Sequence, residues 1–385
     1  MKAPKIVLPI IVFSQFCCTS LWFASNAVLQ DLVVNYGLNE VALGHLTSFV
    51  QFGFISGTFL FAVLTIADRF LPSRVFFSCA VLGALFNLGL VWESNTYSTL
   101  LSFRFLTGFF LAGIYSVGMK IASDYFDRGL GKSLGFLVGA LVLGTAFPHL
   151  LKSITGSVSW EMVIVSTSSI ALIGGLLMLL LVPLGPYSKK STGFEFSAFF
   201  KVFRRKPFRQ AAFGYFGHMW ELYAFWAFVP VLIYSFNTMH HVELNSSLWA
   251  FITIAIGGLS CVGSGIISET VGTKKVASIA LSVSGICCLL CPLLFYMNSP
   301  GLFLSFLLIW GMAVIADSPL FSTLVAQNAP KEFKGTALTI VNCIGFAITI
   351  LSIQLLSYLT NVSSSVFMYS ILALGPLFGL VKLWR

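Results

Sequence analysis

Twelve stretches of this chain are too apolar and too long to be the core elements of a water-soluble fold: 6–29, 41–66, 75–92, 99–122, 133–153, 161–183, 208–234, 247–268, 276–297, 302–326, 338–358 and 366–383. A helix of about 20 mainly apolar residues crosses the ~30 Å hydrocarbon core of a bilayer. Inside that core every backbone N–H and C=O must find a partner within the protein, which a helix achieves by itself. Short polar turns such as "ESNTYS" (93–98) and "NSPG" (298–301) separate the stretches. Only 9% of the residues are charged, against about 25% in soluble domains, so a soluble surface could not be covered. The expected fold is an all-α integral membrane protein with twelve transmembrane helices.

The longest polar break is 184–207, "LGPYSKKSTGFEFSAFFKVFRRKP". It divides the chain into residues 1–183 and 208–385, with six spans on each side. Lys2 and Lys5 before an apolar run could suggest a cleaved signal, but the length of the first span, with Gln15 and Asn26 in it, points to a retained helix. With both termini in the cytoplasm, every Lys and Arg except Lys152, Arg104 and Lys120 falls on the inner side, as the positive-inside rule requires. The net charge of +9 is then a topology signal rather than a nucleic-acid one, and the basic central loop faces anionic headgroups. The expected location is the plasma membrane, the inner membrane in a Gram-negative cell.

All eight cysteines lie in or beside apolar spans. Cys287, Cys288 and Cys291 have no His near them in sequence, so they are read as small apolar residues rather than metal ligands. No P-loop, G-x-S-x-G or H-E-x-x-H pattern occurs, and no cofactor is expected. His240, His241 and Glu243 are read as a solvated loop.

The two halves repeat. Asp68-Arg69-x-x-x-x-Arg74 follows the second span, and Glu269-x-x-Gly272-x-Lys274-Lys275 follows the eighth. Asp68 aligns with Glu269, and Arg74 with Lys275. Gly131-Lys132-Ser133-Leu134 after the fourth span matches Gly335-Thr336-Ala337-Leu338 after the tenth. The chain reads as a duplicated six-helix unit.

The loop after the second span resembles the signature G-x-x-x-D-R-x-G-R-R-R of the major facilitator superfamily. Asp68, Arg69 and Arg74 match, while Leu64, Leu71, Pro72 and Ser73 depart from it. The second copy keeps Gly265 and Gly272, with Glu269 and Thr270 in place of Asp and Arg. "RFLTGFFLAG" (104–113) resembles the family's R-F-x-x-G motif. The resemblance covers essentially the whole chain. It implies two six-helix bundles related by a pseudo-two-fold axis, rocking about a cavity lined by spans 1, 4, 7 and 10. It also implies inner gates: Asp68, Arg69 and Arg74 in one half, and Glu269, Lys274 and Lys275 in the other, with carboxylates pairing to bases on a neighbouring helix. "GFLVGALVLGTAFPH" (135–149) departs from the motif of the drug antiporters, with Ala140 where Pro belongs, and its Gly135-x-x-x-Gly139 suits close helix packing. The glycine-rich asparagine signatures of nitrate carriers are absent.

Charges within the spans mark candidate sites, because a charge at mid-membrane costs at least ~2.5 kcal/mol. Glu221 in the seventh span, with His218 one turn before it, is the first candidate for proton coupling. Asp317 in the tenth is the second, and Pro319 should kink the helix beside it by freeing a backbone carbonyl. Arg104 in the fourth span is a candidate for holding an anion, and Lys120 further along is expected to snorkel. Trp22, Asn26, Gln51, Trp220, Tyr223, Trp226 and Asn342 are candidate cavity walls, with Gln15, His45 and His149 as further polar groups. Arg104, Glu221 and Asp317 fall in spans 4, 7 and 10, which the resemblance places around the cavity.

The expected function is proton-coupled secondary active transport, a symport, of a small organic solute. Arg104 favours an anion, since a buried arginine cannot titrate usefully while an acid can serve the proton. The expected partners are a small-molecule solute, protons and membrane lipids, with no nucleic acid, acting as a monomer. Glu221, Asp317 and the aromatics leave open a proton-driven exporter of cationic or amphipathic compounds. A polytopic membrane enzyme is the third reading.

Overall fold

The computed structural model describes residues 6–39, 41–125, 130–155, 159–188, 198–330, 334–363 and 365–385, and the side chains in them except at 130–134, 155, 198 and 199. Lys2, Lys5, Arg128, Lys189, Lys190 and Lys331, the side chain of Lys132 and most of the central loop therefore lie outside the description. The described residues form helices and turns with no strand. Two compact units are present, residues 1–196 and 197–385.

The first unit contains α1 (Val7–Thr19), α2 (Ala24–Ala27), α3 (Leu29–Tyr36), α4 (Ala42–Val63), α5 (Ile66–Arg69), α6 (Pro72–Leu88), α7 (Tyr97–Tyr125), α8 (Leu130–Thr155) and α9 (Glu161–Leu181). The second contains α10 (Ala198–Phe203), α11 (Lys206–His240), α12 (Ser246–Val271), α13 (Thr273–Tyr296), α14 (Pro300–Ala316), α15 (Ser318–Asn328), α16 (Lys334–Val362), a 3-10 segment (Val366–Ala373) and α17 (Leu374–Trp384). Counting α14 with α15, and the 3-10 segment with α17, 11 helices among the described residues are long and apolar enough to cross a membrane, and Val7–Thr19 is a shorter apolar one.

The first span corrects the sequence expectation of one continuous helix. It stops at Thr19, turns through Ser20–Phe23, and resumes as α2 and α3 as far as Tyr36. Local chemistry supports the break. Thr19 Oγ1 donates to the Gln15 carbonyl at 2.8 Å and Ser20 Oγ to the Cys17 carbonyl at 2.7 Å, so hydroxyls compete for the carbonyls of the last turn. Beyond the break, the Tyr36 hydroxyl reaches the carbonyls of Leu90 and Trp92, each at 3.0 Å, and Lys152 pairs with Asp31 at 2.8 Å.

Small residues bring α4 against α7. A Cβ on Gly108 would stand 1.9 Å from the Val50 carbonyl oxygen, and one on Gly53 at 1.9 Å from that of Phe105. Membrane helices associate through such close packing rather than through a hydrophobic drive. Gly108→Leu is expected to abolish folded monodisperse protein in detergent, because both obstructing atoms belong to backbone. Size-exclusion profiles and thermal melts check this, and a wild-type melt would refute it.

The tenth span breaks at Asp317 as Pro319 predicts. Pro319 cannot donate to Ile315, whose carbonyl instead accepts from Cys261 Sγ at 3.4 Å. Ser264 Oγ donates to the Ala316 carbonyl at 2.6 Å, and Ser260 Oγ to that of Met312 at 2.8 Å. Three residues on one face of α12 thus satisfy the carbonyls around the break.

Candidate functional site

In the first unit the site is built on the break in the first span. Arg104 of α7 is fully buried, and its guanidinium donates to the carbonyls of Leu21, at 3.1 Å, and Trp22. These carbonyls lack the helical partners that an unbroken span would give them, and the negative end of α1 lies at the turn that carries them. Among the described residues no carboxylate lies within ion-pair distance of Arg104, and its Nε has no hydrogen-bond partner. On α4, Thr47 Oγ1 accepts from Asn26 Nδ2 at 2.8 Å, and the Phe54 ring lies 4.7 Å from that of Trp22. Gln51 lies between them on the same face, fully buried. Gln15 is also buried, against the position where Gly118 admits its amide oxygen.

In the second unit Glu221 of α11 accepts three hydrogen bonds. Trp310 Nε1 donates to Oε1 at 2.6 Å, Cys288 Sγ to Oε1 at 3.3 Å, and Ser284 Oγ to Oε2 at 2.9 Å. The carboxylate therefore joins α11 to α13 and α14. Cys288, read from sequence as a small apolar residue, is here a donor, and Trp310 and Ser284 were not singled out, because polar groups on neighbouring spans have no fixed spacing in the chain. His218 shares Glu221's helix but not its partners. Its Nδ1 lies 2.8 Å from Asp317 Oδ1 at the break in the tenth span. That separation suits an ion pair, and Asp317 Oδ2 and His218 Nε2 have no hydrogen-bond partner of their own. The pairing expected for His218 with Glu221 is thus corrected to His218 with Asp317.

The aromatic candidates divide. Tyr223 packs on Trp226 at 5.3 Å and on Phe346 of α16 at 5.2 Å. Trp220 points elsewhere, its Nε1 donating to the Ile371 carbonyl at 3.2 Å. Asn342 on α16 is part-buried.

The gate candidates are arranged differently from the expectation. Asp68 pairs with Lys120 at 3.1 Å, not with Arg69 or Arg74, and Lys120 also meets Asp124 at 3.5 Å. Arg69 Nε donates to Thr65 Oγ1, and Arg74 is exposed. Lys120, expected to snorkel, is the base between two carboxylates; its i,i+4 spacing to Asp124 was the legible signal. In the second copy Glu269 and Lys275 are exposed, and Lys274 sits 4.3 Å over the Trp384 ring. The Asp68–Lys120 pair is part-exposed, so a double-mutant cycle with Asp68→Asn and Lys120→Gln should give a coupling of about 1 kcal/mol or less. A coupling several times larger would refute this.

Residues 11–353 match the sequence model of the Major Facilitator Superfamily. The chain belongs to this superfamily. It is accordingly an integral membrane transporter of a small-molecule solute, and the polytopic-enzyme reading is set aside. A search of curated proteins by sequence gave no match. Solved structures similar in fold include the proton:xylose symporter XylE, 14% identical, with TM-score 0.75 over 98% of this chain and 94% of that one. The human organic anion transporter MFSD10 is 14% identical, with TM-score 0.76 over 99% and 100%. The nucleoside transporter NupG is 16% identical, with TM-score 0.72 over 99% and 98%. At these identities the likeness is one of fold, and the superfamily fold brings together helices that the sequence alone leaves apart.

Proposed function

We propose that this transporter is a symporter that carries a small organic anion together with protons, by rocking of its two six-helix halves, 1–183 and 208–385, in a plasma membrane with both termini in the cytoplasm. The observation that carries the reading is the separation of buried charge. Among the described residues the first unit buries Arg104 with no carboxylate within ion-pair distance, its buried Asp124 being paired with Lys120, and the second buries Glu221 and Asp317 without a lysine or arginine. A buried cation with open valence suits an anion, whereas a buried carboxylate without a cation is cheapest when protonated.

The hydrogen bonds around Glu221 suit both of its protonation states. Ser284 Oγ lies 2.9 Å from Oε2 and 3.2 Å from the Leu281 carbonyl. Its single hydrogen serves the carboxylate when Glu221 is ionised. With a proton on Oε2, Glu221 donates to Ser284, and the serine hydrogen turns to Leu281. Trp310 and Cys288 donate to Oε1 in both states. His218 and Asp317 share a second proton site, at a helix break able to transmit a change in charge to α15. Asp68 with Lys120, and the exposed bases Arg69, Arg74 and Lys275 with Glu269 and Lys274, act at the gates.

The test is ligand-induced thermal stabilisation of the purified protein, with pools of carboxylates, amino acids, sugars and lipophilic cations at acidic and alkaline pH. Stabilisation by carboxylates, strongest at acidic pH, is expected. Stabilisation by lipophilic cations, strongest at alkaline pH, would replace the symporter with an exporter whose carboxylates bind substrate.

A further inference from the structure

We infer that the transported anion carries a hydroxyl beside its carboxylate, and that Gln51 is the residue that reads it. The inference rests on the anion reading and deepens it. Gln51 is fully buried, and neither its amide nitrogen nor its amide oxygen has a hydrogen-bond partner. Buried amides in native proteins are almost always partnered, so a side chain left open at both ends points to a group that is bound and released.

Its position is fixed by its neighbours. Thr47 and Phe54, on the same face of α4, engage Asn26 and Trp22, so Gln51 faces the stretch from the break in the first span into α2. Arg104 docks on the start of that stretch through the Leu21 and Trp22 carbonyls. Contact of α4 with α7 at Val50 with Gly108, and at Gly53 with Phe105, brings Gln51 and Arg104 to one level of the unit. Asn26 Oδ1 and Ser25 Oγ, in the same stretch, also lack partners.

The chemistry of the open atoms selects the ligand. Arg104 Nε–H and the Gln51 amide N–H groups are donors, which a carboxylate satisfies. Gln51 Oε1 and Asn26 Oδ1 are acceptors, which a carboxylate cannot satisfy. A hydroxyl on the adjacent carbon supplies the missing hydrogen without adding charge. An ammonium would supply it too, but would place a second cation near Arg104. A neutral polyol would leave Arg104 without an anion. The class that supplies an anion to Arg104 and a hydrogen to Gln51 Oε1 is a small hydroxycarboxylate.

The experiment compares hydroxycarboxylates of two to six carbons with their deoxy counterparts, for example 2-hydroxypropanoate with propanoate, and with the matching amino acids. Binding to the purified full-length protein is measured by calorimetry at fixed acidic pH. The hydroxy member of at least one pair should bind at least tenfold more tightly than its deoxy and amino counterparts. Gln51→Leu should weaken binding of both the hydroxy and the deoxy acid, because the amide donors are lost, and should reduce their ratio to below twofold. Gln51→Met serves the same purpose if the leucine variant melts early. Equal binding of hydroxy and deoxy acids, a tighter-binding amino acid, or a preference that survives both substitutions would overturn the assignment of Gln51 and leave the anion reading standing. Binding of lipophilic cations with no carboxylate bound would overturn both.

Discussion

Glu221→Gln should leave a folded protein that still exchanges substrate across a sealed membrane but no longer moves protons with it. Glutamine is close to an exact replica of the protonated acid at this position. Its Oε1 accepts from Trp310 and Cys288, and its Nε2 donates to Ser284, whose own hydrogen turns to Leu281. Fold and packing are therefore kept, and what is removed is the ability to lose the proton. Glu221→Ala differs, because it leaves the buried donor Trp310 without its acceptor and opens a cavity. A stability loss of about 3–5 kcal/mol is expected from these combined effects. In proteoliposomes with an internal pH dye, substrate-driven acidification should fall at least a hundredfold in the Gln variant while counterflow of labelled substrate stays within threefold. Wild-type acidification in Glu221→Gln would remove Glu221 from the coupling path and leave the pair His218 and Asp317 to carry it.

The second large effect is expected at Arg104. Its guanidinium serves the broken first span and, in the proposed reading, the anion. Arg104→Lys keeps the charge but replaces a planar fork with a point donor, which cannot span the Leu21 and Trp22 carbonyls and still present an open N–H edge. Arg104→Leu leaves both carbonyls without the side chain and should lower stability by about 2–4 kcal/mol, as unpaired buried acceptors do. Carboxylate binding should weaken at least a hundredfold in Arg104→Leu and at least tenfold in Arg104→Lys. Because destabilisation alone could lower apparent affinity, binding is to be compared at a temperature where both variants are fully folded. Carboxylate affinity in Arg104→Leu within threefold of wild type would show that the cation serves the backbone and not a ligand.

The spans were legible in the sequence because they rest on periodic features: apolar length and short polar turns. The kink at Asp317 was legible too, since Pro319 removes a specific donor. The break at Ser20–Phe23 was not. No proline or glycine stands there, and the turn is held by Arg104, which lies more than eighty residues further along the chain. The same limit explains the side-chain pairings. His218 and Glu221 lie one turn apart on one helix, which suggested a pair, but each is engaged by a different neighbour. Lys120 was read by its depth in the span, while its role depends on Asp68 of another helix. Charges could be assigned to spans from sequence, but their partners depend on packing across spans.

The stitched carbonyls of the tenth span have a mechanical consequence. Ser260, Cys261 and Ser264 tie the end of α14 to α12, so everything before Asp317 is fastened to a neighbour. The eleven residues of α15 that follow form a lever of about 16 Å, hinged where the carboxylate sits. A swing of about 10° at Asp317 carries its far end by about 3 Å, a shift comparable to a water molecule's diameter. In the proposed coupling, a change of charge at the hinge would be converted into displacement at the opposite end of α15.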